Sequence, residues 1–153
     1  MTAARAHELL RTQGATVAVA ESLTGGLLGA ELTAVPGSSL TFRGGVIAYV
    51  PDVKTSLLGV PADVLADIGA VSDTTAIAMA TGVRRLLDST YGLALTGVAG
   101  PEEQEGKPAG TVHAGVAGPR GERSVPLHFD GDRPQIRRLA TRAAIELLCA
   151  ELS

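Results

Sequence analysis

The sequence predicts an α/β protein with a mixed sheet covered by helices on both faces, and three observations carry that prediction. Short, continuously apolar and β-branched runs alternate with helical patterns as far as Thr96, as units of strand, helix and parallel strand require. A hairpin pattern then follows near the end of the chain and adds antiparallel strands. The length is that of one domain: 153 residues, 45% hydrophobic and 19% charged, suffice to close one core without disulfide or metal staples.

Each element has its own signal. Thr2 to Gln13 reads as a helix with Leu9 and Leu10 apolar, and Gly14 stands in the stop position that favours a left-handed residue. Thr16 to Ala20 is apolar throughout, the pattern of a strand buried on both faces. The turn Glu21-Ser22-Leu23-Thr24-Gly25-Gly26 follows, with Thr24 expected to cap a second helix through Leu27, Leu28, Leu32 and Thr33, closed by Pro36-Gly37. Gly44 to Val50 is the second strand, after which Pro51 and Asp52 open a short helix carrying Lys54.

Pro61-Ala62-Asp63 starts another short helix, stopped by Gly69, and Ser72 caps a longer one from Asp73 to about Asp88. Its Ile77, Met79, Ala80, Val83, Leu86 and Leu87 make a broad apolar face, which is core rather than chemistry. Tyr91 to Thr96 is the third buried strand, and Gly97 to Pro101 is a glycine-rich loop. Glu102 to Pro108 is polar and expected to be mobile. Thr111 to Ala117 and Ser124 to Phe129, joined by Gly118-Pro119-Arg120-Gly121, form the hairpin, and a last helix runs from about Pro134 to Leu152. No repeat or linker divides the chain, so residues 1–153 form one domain.

Composition excludes several classes. A net charge of −3 gives no footprint for nucleic acid or an anionic membrane as the main partner. The only cysteine, Cys149, permits no intrachain disulfide and fits a reducing compartment, so the expected location is the cytoplasm. The first residues are charged and lack an apolar signal region, and no apolar run reaches spanning length; a soluble, unprocessed protein is expected. Homo-oligomers are the default for so small a protein.

The chemistry lies in three loops that follow strands, where ligands of open α/β sheets bind. The first offers Ser22 and Thr24 with Gly25 and Gly26, whose backbone N–H groups can hold an oxyanion or phosphate at a helix start. The second offers Tyr49 and Lys54. The third, from Gly97 to Gly100, has backbone able to approach a ligand closely. A serine attacks a carbonyl only when a base takes its proton, and His7, His113 and His128 lie in a helix or hairpin strands away from that turn. Lysine can serve instead when burial and neighbouring positive charge lower its pKa by roughly 3 from about 10.4, a change of about 4 kcal/mol. Lys54 is that candidate, with Tyr49 able to relay a proton beside it. Local pattern alone supports an α/β protein with an anion-binding loop, because a Ser-Thr-Gly-Gly turn is a helix cap as readily as a nucleophile.

A series of motifs narrows this. Glu21-Ser22-Leu23-Thr24-Gly25-Gly26, Pro36-Gly37-Ser38-Ser39, Phe42-Arg43-Gly44-Gly45-Val46-Ile47-Ala48-Tyr49 with Lys54, and Gly69-Ala70-Val71-Ser72 occur in order. Thr96-Gly97-Val98-Ala99-Gly100-Pro101, Lys107-Pro108-Ala109-Gly110-Thr111-Val112 and Gly131-Asp132-Arg133 with Arg137-Arg138 complete the series. Over nearly the whole chain it resembles the CinA C-terminal domain, also known as the nicotinamide-nucleotide amidase family. The resemblance implies a three-layer α/β/α sandwich with a mixed five-stranded sheet. It also implies hydrolysis of nicotinamide mononucleotide to nicotinate mononucleotide and ammonia, as in pyridine nucleotide recycling, with no metal or organic cofactor.

Carried over residue by residue, the nucleophile maps to Ser22, the base to Lys54 and the proton relay to Tyr49. The family's functional arginine maps to Arg133, with Arg137 as the other choice, as the partner of the substrate phosphate. Backbone donors near Gly25, Gly26 or the Gly97 to Gly100 loop would stabilise the oxyanion, and Thr24 is a substrate contact or a plain cap. One departure is evident: Pro101 is followed by Glu102-Glu103-Gln104-Glu105 where the family often has Asp-Gly-Gly, which adds negative charge near a site for an anionic nucleotide.

Other classes fit less well. Gly100 and Gly106-Lys107 resemble a phosphate loop, but five residues separate the glycines instead of four and Pro108 replaces the required Ser or Thr. A short-chain dehydrogenase would need its Tyr and Lys one helical turn apart and a G-x-G-x-x-G fingerprint. Penicillin-recognising enzymes carry a lysine three residues after the serine, where this chain has Gly25. The remaining alternative is a noncatalytic domain that binds a nucleotide or a protein partner, in keeping with the family's links to competence and DNA-damage responses.

Overall fold

A computed structural model describes all 153 residues. The buried runs pair into one five-stranded sheet of β1 (Val17–Glu21), β2 (Phe42–Ile47), β3 (Tyr91–Gly97), β4 (Thr111–Gly118) and β5 (Gly121–His128). Its spatial order is β2-β1-β3-β4-β5; β1 is parallel to both β2 and β3, and β4 is antiparallel to both β3 and β5. The six helices are α1 (Ala3–Gln13), α2 (Leu27–Thr33), α3 (Pro51–Leu58), α4 (Ala62–Asp67), α5 (Asp73–Leu86) and α6 (Arg133–Leu152).

Residue size along the strands decides how the two helical layers sit. On one face Val17, Val19, Leu93, Leu95, Val112 and Val116 meet α1, α2 and α6 through Leu10, Leu28, Leu32, Ile136 and Leu148. On the other face β1 and β3 carry Ala18, Ala20 and Ala94, which meet Leu58 of α3 and Met79, Ala80 and Val83 of α5. The small face lets α5 lie close to the sheet. A Cβ at Gly115 would collide with the carbonyl of Ala76, and one at Gly92 with that of Ala80. The result is the three-layer α/β/α sandwich.

The connections explain where a site forms. From β1 the chain runs through α2 to β2 on one side, then returns through α3, α4 and α5 to β3 on the other side of β1. Right-handed crossovers in opposite directions put α2 and α5 on opposite faces. The loops leaving β1 and β3 therefore part and open a crevice beyond the end of β1.

Several local expectations change. β2 begins at Phe42 and ends at Ile47 where Gly44 to Val50 was expected, and as an edge strand it alternates half-buried and exposed residues. Thr24 does not cap α2. The cap position is Gly26 at φ +110°, and Thr24 lies upstream, fully buried, its hydroxyl without a hydrogen-bond partner. Glu21 serves instead: its buried carboxylate accepts N–H bonds from Gly26 (3.2 Å), Leu28 (2.9 Å) and Gly29 (3.0 Å). A carboxylate against a helix start satisfies the free amides and meets the positive end of the helix dipole.

The acidic segment expected to be mobile is tied down. Glu105 accepts from the amides of Ala70 (2.8 Å) and Val71 (3.0 Å), Lys107 Nζ donates to the carbonyl of Val71, and Gln104 pairs with Lys107 as an isolated bridge. Other expectations hold: Gly14 ends α1 in the left-handed region, Ser72 caps α5, and Cys149 is buried on α6. His7 is fully buried between Thr41 Oγ1 (2.6 Å) and the carbonyl of Leu32 (2.8 Å), a structural tie between α1 and the segment after β1. No helix is long and apolar enough to cross a membrane.

Candidate active site

Ser22 is the first residue beyond β1, yet its N–H still bonds to the carbonyl of Leu95 at 3.1 Å, so the sheet holds the serine backbone. Lys54 arrives from the first turn of α3, which starts where Pro51 follows the edge strand. Both residues are buried; Lys54 keeps only 1% of its surface exposed. Its Nζ lies 2.8 Å from Ser22 Oγ, 2.7 Å from the carbonyl oxygen of Ala48 and 3.3 Å from that of Tyr49.

This geometry has a chemical consequence. A neutral lysine has two N–H groups and one lone pair; if the two carbonyls accept the hydrogens, the lone pair is left facing the Ser22 hydroxyl. Burial pushes the Lys54 pKa down to about 8, against the opposing influence of the Glu105 charge. The amine is thereby moved toward the range where it can take a proton near neutral pH.

A cavity of about 510 Å³ opens over the pair. Ser22, Leu23 and Lys54 line it together with Ala70, Val71, Thr96 and the loop from Gly97 to Pro101, and so do Tyr49, Glu102, Glu103 and Arg133. Gly97, Gly100 and Arg133 are thus brought to Ser22 and Lys54, as the sequence reading expected. Tyr49 also lines the cavity, but the residue is 54% exposed and its hydroxyl accepts from Arg133 Nη2 at 3.0 Å; that hydroxyl makes no hydrogen bond to Ser22 or Lys54. The other fork of Arg133 donates to the carbonyl of Gly100 at 2.7 Å.

Thr24, Gly25, Gly26 and Arg137 lie outside the cavity lining. The amide of Gly25 donates to the carbonyl of Ser22 at 3.1 Å and that of Gly26 to Glu21, so neither is free to hold an oxyanion. The amides of Leu23 and Thr24 have no acceptor, and neither do those of Ala99 and Gly100. Arg137 donates through Nε to the carbonyl of Leu23 (3.0 Å) and through Nη2 to that of Thr24 (3.1 Å).

Sequence reasoning missed Glu21, the Ala48 carbonyl and the Leu23 amide. Only Glu21 had a signal, an acidic residue closing an apolar strand just before a helix. No group of three His, Cys, Asp or Glu side chains comes together as a metal site.

Fold and site together define a three-layer α/β domain whose strand ends hold a buried Ser–Lys pair under a loop-lined cavity. The chain belongs to the family described as the CinA C-terminal domain, whose model matches residues 1–152. It is similar to a CinA-like protein of Frankia casuarinae, 56% identical over 92% of this chain and 32% of that protein. A putative competence-damage inducible protein of Desulforamulus reducens is 51% identical over 92% of this chain and 34% of its own length. The chain thus spans about a third of the length of these curated relatives. A crystal structure of a competence-damaged protein (CinA) superfamily protein from Klebsiella pneumoniae matches with a TM-score of 0.95 at 32% identity, covering 98% of this chain and 94% of that one. Another, from Escherichia coli, matches with a TM-score of 0.94 at 31% identity, covering 97% and 87%.

Proposed function

We propose that the domain is an amidohydrolase of pyridine nucleotides that converts nicotinamide mononucleotide and water to nicotinate mononucleotide and ammonia. The observation that carries this reading is the 2.8 Å approach of the buried Lys54 amine to Ser22 Oγ, with the carbonyls of Ala48 and Tyr49 orienting that amine.

In the first half-reaction neutral Lys54 takes the Ser22 proton as Oγ bonds to the amide carbon. The oxyanion is received by free backbone amides, of which that of Leu23, directly after the nucleophile, is the nearest in sequence. Lys54 then returns the proton to the departing nitrogen, the C–N bond breaks, and ammonia leaves an ester on Ser22. Water, losing its proton to Lys54, attacks the ester; Ser22 recovers its hydrogen and the carboxylate product departs. Arg133 offers a guanidinium at the cavity for the substrate phosphate, for which it would exchange its bonds to Tyr49 and Gly100. A relay through Tyr49 needs a water or substrate group to bridge its hydroxyl to Lys54, because that hydroxyl is engaged by Arg133.

The test is ammonia release from nicotinamide mononucleotide by the purified protein beside Ser22→Ala and Lys54→Met. Release by the wild type alone supports the reading. Equal, background release by all three would sink it and leave a domain that binds a nucleotide or a protein partner.

A further inference from the structure

The two arginines one turn apart on α6 address different groups. Arg133 reaches Gly100 and Tyr49 beside the cavity, whereas Arg137 holds the carbonyls of Leu23 and Thr24 behind the nucleophile. We propose that Arg137 is a positioning residue for Ser22: by holding the carbonyls of Leu23 and Thr24 it fixes the turn in which the Gly25 amide takes the Ser22 carbonyl, so that the Leu23 amide stays free to receive the acyl oxygen. It takes no part in binding phosphate. This inference rests on the amidohydrolase reading.

Peptide geometry links the guanidinium to the amides. In a planar trans peptide the C=O and N–H point in opposite directions. With the Leu23 carbonyl drawn to Arg137 on α6, the N–H of the same peptide, that of Thr24, points away from α6. The Ser22 carbonyl is held by the Gly25 N–H at 3.1 Å, which likewise directs the Leu23 N–H out of the turn. Neither amide has an acceptor in the protein, while the next donor, Gly26, is consumed by Glu21.

The turn is therefore gripped at both ends. The Glu21 carboxylate takes the amides of its helical end, and Arg137 takes the carbonyls beside the serine. Gly25 completes the fit. At φ +56° it is in the left-handed region, and a Cβ there would lie 3.3 Å from Arg137 Nη2, tight against the guanidinium. Two carbonyls in succession suit the rigid fork of arginine, which a lysine ammonium on a flexible stem cannot reproduce in one geometry.

The experiment compares Arg137→Ala, Arg137→Lys and Arg133→Ala on nicotinamide mononucleotide and on nicotinamide riboside, which lacks the phosphate. Arg137→Ala is expected to lower kcat about 10- to 100-fold on both substrates, short of the loss from deleting an oxyanion donor outright, with KM changed less than about twofold. Its pH profile keeps the wild-type inflection, and Arg137→Lys recovers part of the rate. Arg133→Ala raises KM for the phosphate-bearing substrate only. A KM increase confined to the mononucleotide in Arg137→Ala, or an unchanged kcat, overturns the proposal. If Arg137→Ala does not fold, judged by circular dichroism, Arg137→Lys carries the comparison.

A second arm separates this inference from the substrate assignment. Acylation of Ser22 by p-nitrophenyl acetate is followed in the same proteins. A wild type inert to the nucleotides but acylated by the ester refutes the substrate reading alone, and the same fold loss in Arg137→Ala still supports the positioning role. An ester rate unaffected by Arg137→Ala, or a wild type inert to every substrate, overturns it.

Discussion

Replacing Lys54 by methionine keeps a side chain of similar length in the buried slot and removes the one titrating group there. In the folded chain Lys54 has a pKa of about 8, lowered from 10.5 chiefly by burial. Below pH 8 the amine is protonated in both folded and unfolded states, and the fold bears the cost of burying the charge. Between about 8 and 10.5 the unfolded chain still binds the proton and the folded chain has released it. Unfolding then takes up a proton, so stability rises with pH across this window. The full difference amounts to about 3 kcal/mol. Lost donors to Ala48 and Tyr49 and the change in packing contribute offsets that do not vary with pH. Urea denaturation of both proteins from pH 6 to 10 is the assay, read as wild-type stability minus that of Lys54→Met. The difference should be flat below about pH 7 and climb by about 2–3 kcal/mol by pH 10. A flat difference throughout, or one that falls as pH rises, would refute burial as the cause that lowers the Lys54 pKa.

Three further predictions concern the same site. The rate of ammonia release should increase with pH and level off above about 8, since only about one-tenth of Lys54 is neutral at pH 7; a rate constant from pH 6 to 9 contradicts Lys54 as the base. Glu105→Gln removes a charge that holds the Lys54 pKa up, so the inflection should move to lower pH, and hydrogen exchange at the Ala70 and Val71 amides should quicken as the 102–107 turn loosens. An inflection that moves up contradicts the sign of that interaction. Glu21→Ala strips three N–H bonds from the start of α2 and should destabilise the fold by about 3 kcal/mol in urea, with Glu21→Gln losing less; a change under about 0.5 kcal/mol would show that water caps the helix as well as the carboxylate does.

The sandwich was legible because its elements announce themselves locally. Val17 to Ala20 and Leu93 to Leu95 are continuous apolar runs, Gly14 sits where a helix end turns left-handed, and Ser72 sits where a free helix amide needs a side-chain acceptor. Ser22 and Lys54 were legible only through a series of spaced motifs, since a serine in a glycine-rich turn and a lysine on a short helix are locally unremarkable. The bounds of β2 were misread, Gly44 to Val50 for Phe42–Ile47, because an apolar run does not report where pairing with the neighbouring strand begins and ends. Thr24 was misread as a cap because cap preference is a statement about residue type, and a carboxylate held by the adjoining strand reached the free amides first.

The sequence by itself determined the order of strands and helices and the family, because periodicity, turn chemistry and motif order are properties of neighbours along the chain. Tertiary structure decided what Ser22 can do. The lowered pKa of Lys54, the carbonyls that orient it, the Arg137 and Glu21 grips on the turn and the placing of Arg133 beside the cavity all depend on groups brought together from separate elements. Desolvation and hydrogen-bond partners exist only once those elements pack, so no local reading of the turn could assign them.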